Sequence, residues 1–189
     1  MPDDTVHRGA SRPTGRDLMM TIGRETLKAW EWELRRHDWA ALRCGCGRGA
    51  AHLPATFGRL LGATAPDQAV GHTLTGHLEE QSMLFEAAPH AVPVILAGLA
   101  ERPPDFVRGP LLSTLGYLVT GESHRSEAAA GRPGLEEECA ESVREGLWQL
   151  YAEAATGHTE AALDILEHVD PDEERFAFHR ARCAGRLRK

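Results

Sequence analysis

The side chains best suited to bind a metal or react with a substrate are four cysteines and ten histidines. Cys44 and Cys46 are separated by a single residue, whereas zinc knuckles usually place about two to four residues between paired cysteines. Cys139 and Cys183 lie far apart on apolar helical stripes, where cysteine packs as a small hydrophobic residue. The sequence therefore predicts no metal, no cofactor and no disulfide, and it leaves Cys44 and Cys46 in a glycine-rich loop that is open to oxidation.

The histidines and carboxylates do not form a recognisable catalytic pattern. His72 and His77 are five residues apart, about 140° around a helix, so they do not share a face, whereas His77 and Glu80 do. A di-iron bundle needs carboxylates and paired motifs on several helices, and the sequence does not supply them. The motifs of serine hydrolases, P-loop proteins and zinc proteases are also absent. We therefore predict that the chain has no catalytic residues and is not an enzyme.

The 189-residue chain is acidic, and its charge is unevenly distributed. Apolar residues make up 42% and charged residues 26%, which suits one domain with a buried core. The formal net charge is −7, yet six basic and no acidic residues lie between Arg175 and Lys189. A nucleic-acid binder needs a dominant basic face, so this balance argues against nucleic acid as the partner. An acidic body with a basic end favours protein partners.

Nothing in the sequence indicates a membrane or secreted protein. No stretch approaches the ~20 consecutive apolar residues that span a bilayer, and the polar N-terminus lacks the apolar segment of a secretory signal. We expect residues 1–20 to form a flexible leader and residues 21–189 to form a single helical domain. These features predict a cytoplasmic protein without membrane contact.

Apolar residues recur at spacings of three and four, which indicates helices, and the alternating β-branched runs typical of strands are absent. Proline, glycine and capping residues mark the ends of the segments. We predict a loop over residues 121–134. The predicted helices cover approximately residues 22–37, 53–61, 64–84, 89–99, 103–121, 135–156, 159–166 and 170–183.

Part of the sequence overlays itself when it is shifted by 38 residues. Each copy has an apolar helix, a short turn and a Pro-Asp pair that opens a second helix. Two-helix units with a period near ~40 residues are typical of HEAT and armadillo repeats, in which each unit buries its apolar face against its neighbours. The repeat predicts an all-α fold, a short right-handed α-solenoid of HEAT/armadillo-like helical hairpins, with an irregular helical bundle as the alternative. The matching positions are Phe57 with Ile95, Leu61 with Leu99, Pro66 with Pro104, Asp67 with Asp105 and Leu74 with Leu112, and a third copy contains Leu163, Leu166, Pro171, Asp172 and Phe176.

Three segments, Trp39–Leu42, Gly49–Pro54 and Gln81–Pro93, resemble a group of bacterial HEAT-repeat proteins. The resemblance extends over about residues 38–120 and, more weakly, over residues 135–184. In that group a segment similar to His-Gln-Gly-Thr-x-Tyr-x-Ala leads into an Ala-Val-Pro helix. The resemblance implies an armadillo-like fold; some members resemble immunity proteins that neutralise toxins, and others act as protein-binding scaffolds. The chain differs from the group's segment by having Glu80, Ser82, Met83 and Phe85 in place of its His, Gly, Thr and Tyr.

Two segments are candidate contacts for a protein partner. The segment 79–86 places apolar side chains beside acidic ones; apolar anchors dominate binding energy when they fill a pocket, and acids speed the encounter with a basic partner. A buried turn with solvated acids is the alternative for this segment. The 121–134 loop interrupts the repeat, and such loops are either functional or disordered. The candidate contact residues are Glu79, Glu80, Met83, Phe85, Glu86, Glu122, His124 and Arg125.

These features favour a non-catalytic protein that binds a protein partner, such as a toxin with a basic surface, in the manner of an immunity protein or inhibitor. A metal-dependent or nucleic-acid-modifying enzyme on a helical scaffold is one alternative, and a homo-oligomeric scaffold is another. The sequence does not decide the oligomeric state.

Overall fold

Ten helices and three two-residue strands make up the described part of the chain, residues 27–187 of a computed structural model. This part is mostly helical, as the sequence predicted. The predicted leader and the first turn of the predicted helix 22–37 lie outside it. Within it, no helix combines the length and the apolar character that crossing a bilayer requires. The helices are α1 Ala29–Arg35, α2 Leu53–Gly62, α3 Pro66–Ala69, α4 Ala87–Ala100, α5 Asp105–Thr120, α6 Arg125–Ala129, α7 Leu135–Arg144, α8 Leu147–Thr156, α9 Thr159–Val169 and α10 Glu173–Leu187, and the strands are β1 Glu79–Glu80, β2 Met83–Leu84 and β3 Glu122–Ser123.

Helix α4 lies at the centre of the core because most of its circumference is apolar. Its Val92, Ile95 and Leu99 are fully buried, and the helix packs against α1, α5 and α7. Helix α5 in turn packs against α7 and α9, and α8 packs against α9. Each fully buried aliphatic side chain contributes about 1.5–3 kcal/mol, so burial of these apolar faces drives the helices together.

The predicted helix over residues 64–84 is wrong beyond its first turn. Only α3 is helical there, and an irregular segment leads from it to β1. Gly71 and Gly76 have φ angles of +80° and +78°, a left-handed conformation that ends a helix. Leu74 and Leu78 are buried even though the backbone around them is not helical, which explains why their spacing suggested a helix. In the first copy of the 38-residue repeat, the second helix is therefore reduced to the single turn of α3.

The predicted long helix over residues 135–156 is two helices. Helix α7 ends at Arg144 and α8 begins at Leu147. Gly146 lies at the break, packed so closely against α4 that a Cβ there would stand 2.6 Å from Leu96 Cδ2. The break allows α7 to pack on α4 and α5 while α8 packs on α9.

The predicted loop 121–134 contains regular structure, since β3 and α6 lie within it. Strand β3 pairs in parallel with β2, which aligns Glu122 with Met83, and β2 pairs antiparallel with β1. Gly121 allows the close approach of these strands, because a Cβ there would collide with the carbonyl oxygen of Ser82. The small sheet thus brings the two candidate partner-contact segments side by side.

Candidate metal centre

The glycine-rich loop of residues 43–52, here called the metal loop, folds back on itself and is anchored to an irregular segment of the chain. The Gly47 N–H donates to the Cys44 carbonyl oxygen at 2.9 Å, and Gly47 has a φ of +73°, which glycine adopts without strain. The Gly45 N–H donates to the His77 carbonyl oxygen at 2.9 Å. These bonds bring His77 against the turn that carries the two cysteines.

Four side chains converge at this junction, and their potential ligand atoms all lie within 4.8 Å of one another: those of Cys44, Cys46, His52 and His77. His52 Nε2 lies 3.1 Å from His77 Nδ1. Cys44 Sγ lies 3.4 Å from His77 Nδ1 and 4.0 Å from His52 Nε2. In a tetrahedral zinc site, with bonds of about 2.0–2.3 Å, neighbouring ligand atoms are about 3.3–3.8 Å apart. The cluster therefore suits a single tetrahedral ion bound by two thiolates and two imidazoles.

The two histidines are held by the structure on either side of the cluster. His52 immediately precedes α2, whose Leu53 and Phe57 are fully buried, so packing of this helix fixes the start of its first turn. His77 lies in a turn in which its N–H donates to the Leu74 carbonyl oxygen at 3.1 Å. Both imidazoles are partly exposed, which leaves the centre open to an ion from solvent.

Burial and one backbone hydrogen bond shift the pKa values of three groups in the cluster. It raises the pKa of the Cys44 thiol to about 11, whereas a hydrogen bond from the Arg48 backbone lowers the pKa of Cys46. Burial, followed by the neighbouring His52, lowers the pKa of His77 and so favours the neutral imidazole, whose lone pair can bind a metal. A divalent cation stabilises thiolates, so metal binding at this cluster would release the thiol protons.

Two features of the sequence hid this centre. The spacing of Cys44 and Cys46 is tighter than that of a zinc knuckle. His77 lies in a segment whose apolar spacing predicts a helix, and that helix does not form. The available signal was local: a Cys-x-Cys pair followed six residues later by His52 within a glycine-rich loop. Nothing local marks His77, which lies 25 residues beyond His52.

Several of the predicted partner contacts lie together on the surface around the small sheet. Glu80, Met83, His124 and Arg125 line an open cavity of about 320 Å³. Glu122 is exposed and is aligned with Met83 by the β2–β3 pairing. We call these five residues the strand surface. The structure thus joins two segments that the sequence analysis singled out separately.

Of the other three predicted contacts, Glu79 and Phe85 are buried and Glu86 is partly exposed. Glu79 is buried and accepts a hydrogen bond from the Ser82 N–H at 3.1 Å. Phe85 is buried as well, with its ring stacked on His124 at a centroid distance of 5.0 Å. Glu86 accepts a hydrogen bond from the Arg43 N–H at 2.9 Å. These side chains are therefore engaged in contacts within the chain, and Phe85 packs against the strand surface through His124.

No protein-family model, no curated protein and no solved structure matches the chain. The resemblance to bacterial HEAT-repeat proteins therefore stays a prediction that rests on the sequence segments alone.

Proposed function

We propose that the protein binds one zinc ion through Cys44, Cys46, His52 and His77, and that the ion fixes the metal loop against the segment around His77. The observation that carries this proposal is the convergence of two thiols and two imidazoles within 4.8 Å. Thiolate and imidazole ligands favour zinc over magnesium and calcium, which prefer oxygen ligands.

The proposed role of the ion is structural. Four protein ligands complete a tetrahedral zinc shell, whereas catalytic zinc sites keep one position for water or substrate. Cys44 and His77 are 33 residues apart in the chain. The ion would therefore cross-link two irregular segments that no shared helix or long strand holds together. A structural ion fits the prediction that the chain is not an enzyme.

A metal-dependent enzyme is the alternative if Cys46 is not a ligand. Cys46 is partly exposed, and a centre formed by the other three side chains would leave a position for water. The variant Cys46→Ser separates the two cases. Loss of zinc supports the structural role, and retention of one zinc per chain with a solvent-exchangeable position supports the enzyme.

The direct test is the metal content of protein purified without chelators. We expect about one zinc per chain by inductively coupled plasma mass spectrometry, and a Co²⁺-substituted form whose absorption indicates tetrahedral thiolate coordination. Cys44→Ser and His77→Ala should lose the ion, whereas the matched controls Cys183→Ser and His72→Ala, outside the cluster, should keep it. A folded wild-type chain that fails to bind zinc would contradict the proposal.

The strand surface favours a second function, recognition of a protein partner. Its exposed Glu80 and Glu122 flank Met83, which is half-buried and can offer an apolar contact. This combination suits a partner with a basic surface, such as a toxin neutralised by an immunity-type protein. The observation behind this proposal is the β2–β3 pairing, which assembles the surface from two distant segments.

Charge reversal tests the recognition function. The chain is used to capture proteins from an extract of its source in three forms: wild type, Glu80→Arg/Glu122→Arg, and the control Glu160→Arg on α9, which is also exposed. Capture of one basic protein by the wild type and the control, and its loss with the double variant, supports the proposal. Equal capture by all three forms, or no capture by any of them, contradicts it.

The α-solenoid and the cytoplasmic location stay predictions within this proposal. Pro104 is the N-cap of α5 and Pro171 lies just before α10, which supports helical hairpins at two of the three predicted copies. A reducing cytoplasm would keep the thiols available for zinc. Light scattering distinguishes a monomeric binder from the homo-oligomeric scaffold.

A further inference from the structure

We infer that Glu127 and Arg43 are positioning residues for the metal loop, and that zinc binding is therefore coupled to the structure of the insertion 121–134. This inference rests on the proposed zinc centre. Arg43 immediately precedes Cys44, the first ligand in the chain, and Glu127 lies in α6, within the insertion. The two residues join elements that are distant in sequence.

Glu127 is a fully buried carboxylate between two arginines. Its Oε2 accepts a hydrogen bond from Arg132 Nε at 2.9 Å and forms an ion pair with Arg132 Nη2 at 2.8 Å. Its Oε1 lies 3.2 Å from Arg43 Nε, an ion pair without hydrogen-bond geometry. A buried carboxylate is costly when its partners leave, so Glu127 constrains the position of Arg43.

The main chain of Arg43 is also held on both sides. Its N–H donates to Glu86 Oε2 at 2.9 Å, and its carbonyl oxygen accepts from the Ala87 N–H at 3.2 Å. Glu86 Oε1 in turn lies 3.4 Å from Arg132 Nη1. Two arginines and two glutamates thus form a charge-balanced network that links the start of α4, the insertion and the residue next to Cys44.

A second contact joins the metal loop to the insertion through an aromatic ring. Gly45 packs so closely on Phe85 that a Cβ would stand 2.7 Å from Phe85 Cε2. The Phe85 ring also stacks on His124, which forms the N-cap of α6. The loop is therefore linked to the insertion directly by the Arg43–Glu127 ion pair and indirectly by packing through Phe85.

Coupling of this kind is reciprocal. If the insertion stabilises the binding geometry of the metal loop, bound zinc must stabilise the structure of the insertion by the same free energy. Loss of a partner just outside a metal shell typically weakens metal binding by about 10–100-fold. Glu127 acts through Arg43 and not on a ligand itself, so we expect the lower end of that range, about tenfold, for Glu127→Gln, which keeps the shape of the side chain and removes its charge. We also expect removal of zinc to increase amide hydrogen exchange in residues 122–132 of the wild type.

The experiment uses the full chain and zinc itself as the ligand. Competition with a chromophoric chelator measures zinc affinity for the wild type, Glu127→Gln and the control Glu167→Gln, whose ion pair with Arg180 is exposed. Hydrogen exchange of the wild type, with zinc and after chelation, is a second measurement that needs no variant. A purely structural ion pair would destabilise the zinc-bound and zinc-free forms equally, so it would leave zinc affinity unchanged.

The outcomes separate the coupling from the zinc centre. Zinc binding that is weaker by about tenfold or more in Glu127→Gln alone, with faster exchange in residues 122–132 after chelation, supports the coupling. Wild-type affinity in Glu127→Gln, or exchange that does not respond to chelation, overturns the coupling and leaves the zinc centre intact. A wild type that binds no zinc overturns the proposed function and the coupling together.

Discussion

The closest contact of the metal loop gives a quantitative prediction for Gly45→Ala. A methyl group at this position would stand 2.7 Å from Phe85 Cε2 and 2.8 Å from the Gly76 carbonyl oxygen. Favourable carbon contacts begin at about 3.5 Å, so the methyl group or the Phe85 ring must move by about 0.8 Å. Phe85 is buried and Gly76 contributes a main-chain atom, so neither yields easily. Gly45 itself has no positive φ, so the backbone conformation does not exclude alanine.

This displacement would act on the proposed zinc centre because Gly45 lies between Cys44 and Cys46. Metal sites tolerate deviations in ligand distance of about 0.2 Å, which is several times smaller than the required movement. Overpacking of a well-packed site costs about 1–3 kcal/mol. If that cost falls on the zinc-bound form, zinc affinity drops by about 5–150-fold. The rise in Tm that zinc produces should shrink in parallel.

Competition with a chromophoric chelator measures the affinity, and thermal unfolding with and without zinc measures the change in Tm. The matched control is Gly58→Ala in α2, where nothing lies within 4 Å of an added Cβ, so zinc affinity should not change. Wild-type affinity and Tm in Gly45→Ala would refute the tight packing of the metal loop on Phe85.

Three further predictions concern other parts of the chain. The hydrogen bond from Arg175 lowers the pKa of Asp170 to about 2, below its unfolded value. This carboxylate therefore stabilises the fold above about pH 4 and loses that effect as the pH falls through about 2. Asp170→Asn should therefore lower the free energy of unfolding at pH 7 by about 1–3 kcal/mol in urea titrations and flatten its decline between pH 4 and pH 2. In zinc-free protein, mass spectrometry after alkylation should find Cys46 modified first, because this thiol is partly exposed and its pKa is lowered. Cys139 should react slowly, because burial protects it and raises its pKa. Bound zinc should shield Cys46 from alkylation. Gly121→Ala should lower the free energy of unfolding by about 1–3 kcal/mol, because its Cβ would collide with the carbonyl oxygen of Ser82 in the turn just before β2, and unchanged urea stability would count against the small sheet.

Local periodicity predicts the helices that surround the core. The segments of α5, α9 and α10 combine apolar residues at three- and four-residue spacing with acidic residues at their starts, and a proline precedes α5 and α10. These signals are local because a helix forms its hydrogen bonds within four residues, so short stretches of sequence carry the information. The same signals misled at residues 70–84, where Leu74 and Leu78 are buried on an irregular backbone.

The helical class and the apolar faces of this chain are consequences of composition and spacing alone, because they depend on neighbours along the chain. The candidate metal centre depends on tertiary packing. His77 meets Cys44 because the segment after α3 is not helical and because the His77 carbonyl oxygen accepts a hydrogen bond from the Gly45 N–H. The coupling to Glu127 likewise needs α6 and the metal loop to meet in space. Contacts between residues that are tens of positions apart have no period in the sequence, so only the folded structure decides which side chains converge.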